Sequence, residues 1–407
     1  MWSLQILLMK LMGCTNRPIL NSKIIGLVVT WLLTRLWVLL AGFQVIKYPN
    51  GPSLFADVRL YDWWAANIQD GHFPINDPMW QYPPLAALIF LLGYLIAPST
   101  IGFVFLALAA DALIFYYLIE SSNTGAHQRQ YLAPAIWVSA AIFMGPIILG
   151  RFDVFPTFFA VSALLFANNP KIFGINLAIG AILKVWPVLL LVGQPNAVVR
   201  KSLTWFTSIF VGLSLALTFW WPNSFTFLDG QRSRGIQIES VAALPYMFWH
   251  SLISPLQIEF RFGAVEVLAS GINFVSFLIT AIGLILMAQV FIWRIRGQLE
   301  NIPIAQTALY LVAVAIVTSR VFSPQYMVWL FGLLAVCALN PPKEFLKIFG
   351  LIATSTLFGQ FLYPALYNSY MNGEVFTLLI QLVRISALLA ATFYLWRNIK
   401  NQLLEIN

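Results

Sequence analysis

The chain alternates long apolar runs with short polar breaks, and the runs are as long as membrane crossings. The first covers about 24–46, after Lys10, Arg17 and Lys23. Others follow at 85–96, 101–119, 131–149, 173–192, 202–221, 268–293, 304–318, 327–339, 348–362 and 375–396. A helix needs ~20 apolar residues to cross ~30 Å of hydrocarbon. The runs are continuous rather than alternating, which argues against a β-barrel. The pattern therefore predicts an all-α, polytopic transmembrane helical bundle of about eleven to thirteen membrane segments, re-entrant ones included. It forms a single integral membrane domain over 1–407, with a core at 24–340 and C-terminal spans at 341–407.

Two places break the pattern. The run 85–96 is short, and a cationic loop with His127 and Arg129 follows 101–119. Either one of these two runs is re-entrant or the 121–130 loop lies outside. The segment 173–192 has Lys171 before it, Arg200 and Lys201 after it, and Lys184 and Pro187 within it. Proline breaks a helix, and a lysine at membrane depth needs a protein or water cavity. A dipping or broken segment with Lys184 near its deep end satisfies both conditions.

The stretch from Phe55 to Pro84, FADVRLYDWWAANIQDGHFPINDPMWQYPP, holds four of the fifteen acidic residues, Asp57, Asp62, Asp70 and Asp77. Residues 54–69 lack proline and glycine and can form a short helix lying on the membrane. At helical spacing Asp57, Tyr61 and Trp64 share a face, and Asp62 points ~140° away from Asp57. Gly71 stops the helix, and Pro74, Pro78, Pro83 and Pro84 keep the rest irregular.

Composition and charge sharpen this picture. Hydrophobic residues make up 60%, charged residues 9%, and mean hydropathy is +0.81. A soluble chain carries roughly 25% charge, so a soluble domain is excluded. The net charge of +8 is scattered in short clusters between apolar runs. It is a topology signal and does not point to nucleic acid. The positive-inside rule puts the N-terminus in the cytoplasm. It puts the Asp57 loop, Arg151 and Asp153, the 222–267 loop and Arg320 together on the outer face. Cys14 and Cys337 give neither a disulfide framework nor a metal pattern. Leu11-Met12-Gly13-Cys14 has a trace of a lipoprotein box, but it lacks a basic lead, so an uncleaved cytoplasmic segment is expected.

No Walker loop, GxGxxG fingerprint, HExxH helix or Cys/His cluster occurs. A loop of carboxylates facing separated cations suits transfer of a group from a phosphate-bearing carrier. A carboxylate takes the proton of the attacking hydroxyl, and a cation balances the departing phosphate. Asp57 is either that base or a helix cap. Asp62 and Asp70 read as surface or capping residues. Lys184 either binds a lipid phosphate or pairs with Asp111, and Arg320 is either a phosphate ligand or an interfacial anchor. Arg232 and Arg234 read as solvent-facing, and Arg151 and Asp153 as partners of each other. Trp63, Trp64 and Trp80 suit a belt, though a ring can also stack on a sugar face.

Four motifs in order carry a resemblance. They are Asp57-Val58-Arg59-Leu60-Tyr61 with Gly71 and Tyr82-Pro83-Pro84; Gly150 to Asp153; Lys184 to Pro187; and Arg320-Val321-Phe322-Ser323-Pro324-Gln325-Tyr326. On these the chain resembles the C-superfamily of membrane glycosyltransferases, family 87, the polyprenyl-phosphate-mannose-dependent mannosyltransferases. The resemblance implies a multi-pass protein of the cell membrane with its active site on the extracytoplasmic face. It implies inverting, metal-independent transfer of a hexose, mannose above others, without a cofactor. The donor would be a β-linked polyprenyl-phosphate sugar, and the acceptor a glycolipid or cell-envelope glycan. Asp57 would be the base. Lys184 and Arg320 would bind the donor phosphate, and Tyr61, Tyr82, Gln325 and Tyr326 would shape the substrate pocket. Some relatives carry a histidine where this chain has Gln325. The rival expectation is a flippase or transporter of a lipid-linked sugar, which calls for pseudo-symmetric halves and a midplane site.

Overall fold

The computed structural model describes residues 22–48, 53–75, 77–124 and 131–406. Lys10, Cys14, Arg17, His127 and Arg129 lie outside them. The chain is an all-α, polytopic bundle. Its first elements are α1 (Ser22–Gly42), α2 (Val58–Gln69), α3 (Ala86–Ile96), α4 (Thr100–Thr124), α5 (Leu132–Met144), the single turn α6 (Ile147–Gly150), α7 (Val154–Leu165) and α8 (Pro170–Leu183). A 3₁₀ segment, Trp186–Gly193, leads to α9 (Asn196–Trp220). A polar excursion then holds α10 (Phe227–Ser233), β1 (Ile236–Gln237), α11 (Leu244–Leu252), β2 (Gln257–Arg261) and β3 (Ala264–Leu268). The chain closes with α12 (Ile272–Ile295), α13 (Ile304–Val317), α14 (Met327–Cys337), α15 (Phe345–Gln360), a π turn at Phe361–Ala365, α16 (Tyr367–Met371) and α17 (Val375–Ile406).

Among the described residues six helices are long and apolar enough to cross a membrane: α1, α4, α9, α12, α15 with its π turn, and α17. They surround shorter ones. Helices α5, α7, α8, α13 and α14 have 13, 12, 14, 14 and 11 residues. At ~1.5 Å per residue these span about 17–21 Å, well short of ~30 Å of hydrocarbon. Every residue of α14 is buried. By contrast, α1, α9 and α12 expose Leu33, Leu36, Leu215, Phe219, Phe277 and Ile285, as helices facing lipid do. Short inner helices within a longer rim leave one end of the bundle hollow.

The two ends differ in chemistry. At one, Lys23 Nζ lies 5.9 Å from the Tyr131 ring centre, Lys343 pairs with Glu405 at 2.6 Å, and Gln402 donates to Gln306 at 2.8 Å. These contacts gather the starts of α1, α5, α13 and α15 with the end of α17. Lys23 and Lys343, two of the cations predicted to face the cytoplasm, lie here. The opposite end gathers Gly42, whose carbonyl accepts from Ser53 Oγ at 2.7 Å, the 150–153 turn and Tyr363.

The two irregular stretches resolve as follows. Helix α3 lies against α2 at the hollow end, and Phe103 of α4 is 4.9 Å from the Tyr61 ring. The run 85–96 thus stays at that end, and α4 alone makes the crossing. The α3–α4 corner is close-packed: a Cβ on Gly102 would stand 2.0 Å from the Gly93 carbonyl oxygen. The stretch 170–193 is a broken hairpin. Pro170 starts α8, capped by Asn169, whose Oδ1 accepts from Lys171 N at 3.1 Å. Lys184 is extended (φ −161°), and Pro187 sits in the first turn of the 3₁₀ return. Gln194 closes the base by donating to the Ala167 carbonyl at 3.0 Å. Both arms therefore start from one end, and Lys184 stands at the apex.

The excursion between α9 and α12 adds a small antiparallel sheet of order β1-β3-β2. Strand β3 is buried along almost its whole length, and Ile236, Ile238, Val265 and Val267 pack into a second core beside Leu362 and Tyr370. The β2–β3 turn is Phe262-Gly263, with φ of 49° and 74°. Positive φ at both central positions is the I′ geometry that matches strand twist, and a phenylalanine there is strained.

Candidate active site at the hollow end

One cavity of about 340 Å³ opens at this end. The first loop contributes Asp57, Tyr61, Trp64, Gln81 and Tyr82, and the α8 apex contributes Lys184 and Trp186. The polar excursion contributes Gln231, Arg234 and Phe262, and the late turn Gln325, Tyr326 and Trp329. Segments more than 250 residues apart in sequence thus meet around one space.

Asp57 occupies the N-cap position of α2 but makes no side-chain cap bond. Its carboxylate pairs instead with Arg151 Nη1. Asp57 is about half-exposed toward the cavity, whereas Arg151 is buried and also donates from Nη2 to Tyr363 Oη at 3.1 Å. Arg151 is thus anchored from the π turn after α15 and holds Asp57 at the rim. Asp153 pairs with Lys184 at 2.7 Å and accepts from Trp329 Nε1 at 2.7 Å. The expected Arg151–Asp153 pair therefore does not form. Asp153 heads α7 and its side chain turns toward the hairpin apex, away from its neighbour two residues back. Lys184 is not the partner of Asp111 either. Asp111 is fully buried against Arg35 at 2.7 Å, with Trp31 Nε1 donating at 2.7 Å. Three acid–base pairs thus cross between elements.

Tyr61 and Tyr82 meet through their hydroxyls at 3.0 Å. Tyr61 is buried and stacks on Phe90 at 4.5 Å, so it forms a wall of the cavity. Asp77 fixes this loop by accepting from Trp64 Nε1 at 2.7 Å and Met79 N at 2.8 Å. A further part of the lining is an aromatic stack in which Tyr326 lies 4.2 Å from Trp329 and Trp329 lies 5.3 Å from Trp186. Lys184 Nζ stands 5.1 and 4.9 Å from the Tyr326 and Trp329 rings. A flat aromatic face beside polar groups is what a pyranose ring packs against.

Arg320 departs from expectation because it does not line the cavity. Its Nη1 donates to the Arg234 carbonyl at 3.2 Å, and its own carbonyl accepts from Gln237 N at 3.0 Å. It therefore props the strand that presents Arg234, and Arg234 is the arginine that reaches the cavity. Sequence reading missed this exchange because both arginines sit in loops with no periodicity to orient them. It also missed Trp186, Trp329 and Tyr363, for which the spacing within Lys184–Pro187 and the late turn was the only signal.

Asp62, on the same helix as Asp57, lies outside the cavity lining. Burial pushes its carboxyl up from 3.8 to about 6. The folded state then binds the proton more tightly than the unfolded state, so Asp62 lowers stability increasingly as pH rises from about 4 to about 6. Its partial exposure screens and shrinks the effect. Asp62→Asn is expected to raise the thermal midpoint in detergent at about pH 7 more than at about pH 5. An equal change at both pH values would show that Asp62 does not titrate in this window.

The chain matches no known family model, no curated protein and no solved structure. Among the described residues no group of three or more His, Cys, Asp or Glu side chains could hold a metal ion.

Proposed function

We propose that this protein is an integral membrane glycosyltransferase. It transfers a hexose, mannose above others, from a polyprenyl-phosphate carrier to a hydroxyl of a glycolipid or cell-envelope glycan. The observation that carries the reading is that Asp57, the half-exposed carboxylate, lines one cavity together with the Tyr326–Trp329–Trp186 stack. The acceptor hydroxyl oxygen attacks the anomeric carbon. The bond from that carbon to the phosphate oxygen breaks, and the polyprenyl monophosphate leaves with the electron pair. The hydroxyl proton passes to Asp57, which returns it to solvent. Attack opposite the leaving group inverts the anomeric centre. Proton removal can come late, because an oxocarbenium-like transition state builds charge on the sugar before the nucleophile is fully bonded.

The cationic far end supports an orientation with the cavity on the extracytoplasmic face of the cell membrane. The packed apolar core of α13 and α14, with Leu330, Phe331 and Leu334 fully buried, favours an enzyme over a flippase. A carrier route through the bundle would need polar groups there.

The test is transfer of radiolabel to lipid from polyprenyl-phosphate-mannose and, separately, polyprenyl-phosphate-glucose, in membranes with and without the protein. Label that depends on the protein with either donor is the expected result. Its absence with both donors and native acceptor lipids would overturn the reading.

A further inference from the structure

The charges that surround the cavity do not cancel. Asp57 is paired with Arg151, and Asp153 with Lys184. Two cations line the space directly, Lys184 and Arg234. Lys184 is already committed to the buried Asp153 carboxylate and lies against two rings. Arg234 has no ion-pair partner within 4 Å among the described residues, and its buried Nε makes no hydrogen bond. Its Nη2 donates to the carbonyl of Phe262, the strained turn residue, at 3.0 Å. Its backbone is held from behind by Arg320. The guanidinium is therefore positioned by the neutral Phe262 carbonyl, without an ion pair within 4 Å among the described residues.

A carboxylate that interacts with Arg234 is Glu266 on β3, opposite Glu259 on β2 and Gln237 on β1. Glu266 is 1% exposed, and neither oxygen has a hydrogen-bond partner of normal geometry. Burial raises its pKa, while the Gly235 amide and the Arg234 and Arg261 charges draw it back.

We infer that Arg234 is the phosphate-binding residue of this cavity, and that the cavity takes a lipid-linked phosphodiester carrying one negative charge. The inference rests on the transferase reading and deepens it. It moves the phosphate contact from Lys184 and Arg320 to a residue between them. Two closed ion pairs leave Arg234 as the lining cation without an ion-pair partner among the described residues, placed to meet an anionic phosphodiester. As the bond to the sugar breaks, the diester becomes a monoester whose charge grows toward two, and a guanidinium can then donate to two of its oxygens in a fork. Gln231 and Gln81, bonded to each other at 2.8 Å on the same rim, supply amide donors beside it.

The test is equilibrium binding to the full chain in nanodiscs, which needs no sugar transfer. The probes are decaprenyl methyl phosphate (a diester with one charge), the neutral alcohol decaprenol, and soluble glucose 1-phosphate. The native protein is expected to prefer the lipid diester over the alcohol by ~10–100-fold, the range of one charged hydrogen-bonded contact. Glucose 1-phosphate should compete weakly if the site serves a lipid phosphate and strongly if it serves a free one. Arg234→Gln should erase the preference, Arg234→Lys should keep part of it, and the double variant Lys184→Gln, Asp153→Asn, which removes both charges of the pair together, should leave most of it. The ratio of diester to alcohol binding cancels any loss of folded protein in a variant. Preference intact in Arg234→Gln would overturn the inference and leave the transferase reading standing. No preference in the native protein would overturn both.

Discussion

Asp57→Asn is expected to reduce sugar transfer by ~10²–10⁴-fold while the protein accumulates in membranes to its normal level. The substitution keeps the shape at the first position before α2 and an oxygen that can still accept from Arg151, and it removes the proton acceptor and its charge. The side chain makes no cap bond, so helix α2 loses nothing at its N-terminus. What is lost is the charge in the pair with Arg151, which remains tied to Tyr363 at 3.1 Å. The measurement is initial rate of label transfer at saturating donor, beside Asp62→Asn as a control on the same helix. Asp62 does not line the cavity, so its variant should transfer normally. Equal rates for native protein and Asp57→Asn would remove Asp57 from the chemistry.

Arg384→Leu is expected to destabilise the protein by about 3–5 kcal/mol, the cost of leaving one member of a buried ion pair alone. Arg384 donates to Glu239 at 2.8 Å, and both side chains are at most 2% exposed. Glu239 also accepts from Gln237 Nε2 at 2.7 Å and Tyr367 Oη at 3.3 Å. Burial raises the Glu239 pKa, and Arg384 is the main influence opposing it. Arg384 Nη2 also reaches the Phe322 carbonyl at 3.2 Å, and the Phe322 amide donates to Gln237 Oε1 at 2.9 Å. One network therefore ties the polar excursion, the late turn and α17 together above the cavity. Loss of transfer should accompany loss of stability, although no member of the network touches the cavity. The check is the thermal midpoint in detergent for Arg384→Leu and for the double variant Glu239→Gln, Arg384→Met. Removing both charges should recover a large part of the loss. A double variant no better than the single one would show that the hydrogen bonds, rather than the charge, carry the network.

The network also qualifies the division of the chain into a core at 24–340 and later spans. Tyr363 and Arg384 lie in the later part, yet one anchors the partner of Asp57 and the other fixes the excursion that carries Arg234. Nothing local marks them. An arginine within an apolar run shows that it needs a partner, but the partner is chosen by which helix packs against it.

The sequence by itself determined what local chemistry controls. Run length and hydropathy specified a helical membrane bundle, because every backbone polar group in hydrocarbon must bond within its own helix. Absence of breakers from 54 to 69 and the glycine at 71 specified α2, and Gly71 does adopt φ of +87°. Lys184 followed by Pro187 specified a broken hairpin, because neither residue suits a continuous span. Tertiary structure alone decided which charges meet. Arg151 and Asp153 are near neighbours in sequence but pair with Asp57 and Lys184. Asp111 went to Arg35, and Arg234 rather than Arg320 reached the cavity. The physical reason is that a charge in a low-dielectric interior takes the partner brought to it by packing. Packing is set by the shapes of whole helix faces, which spacing along the chain does not encode.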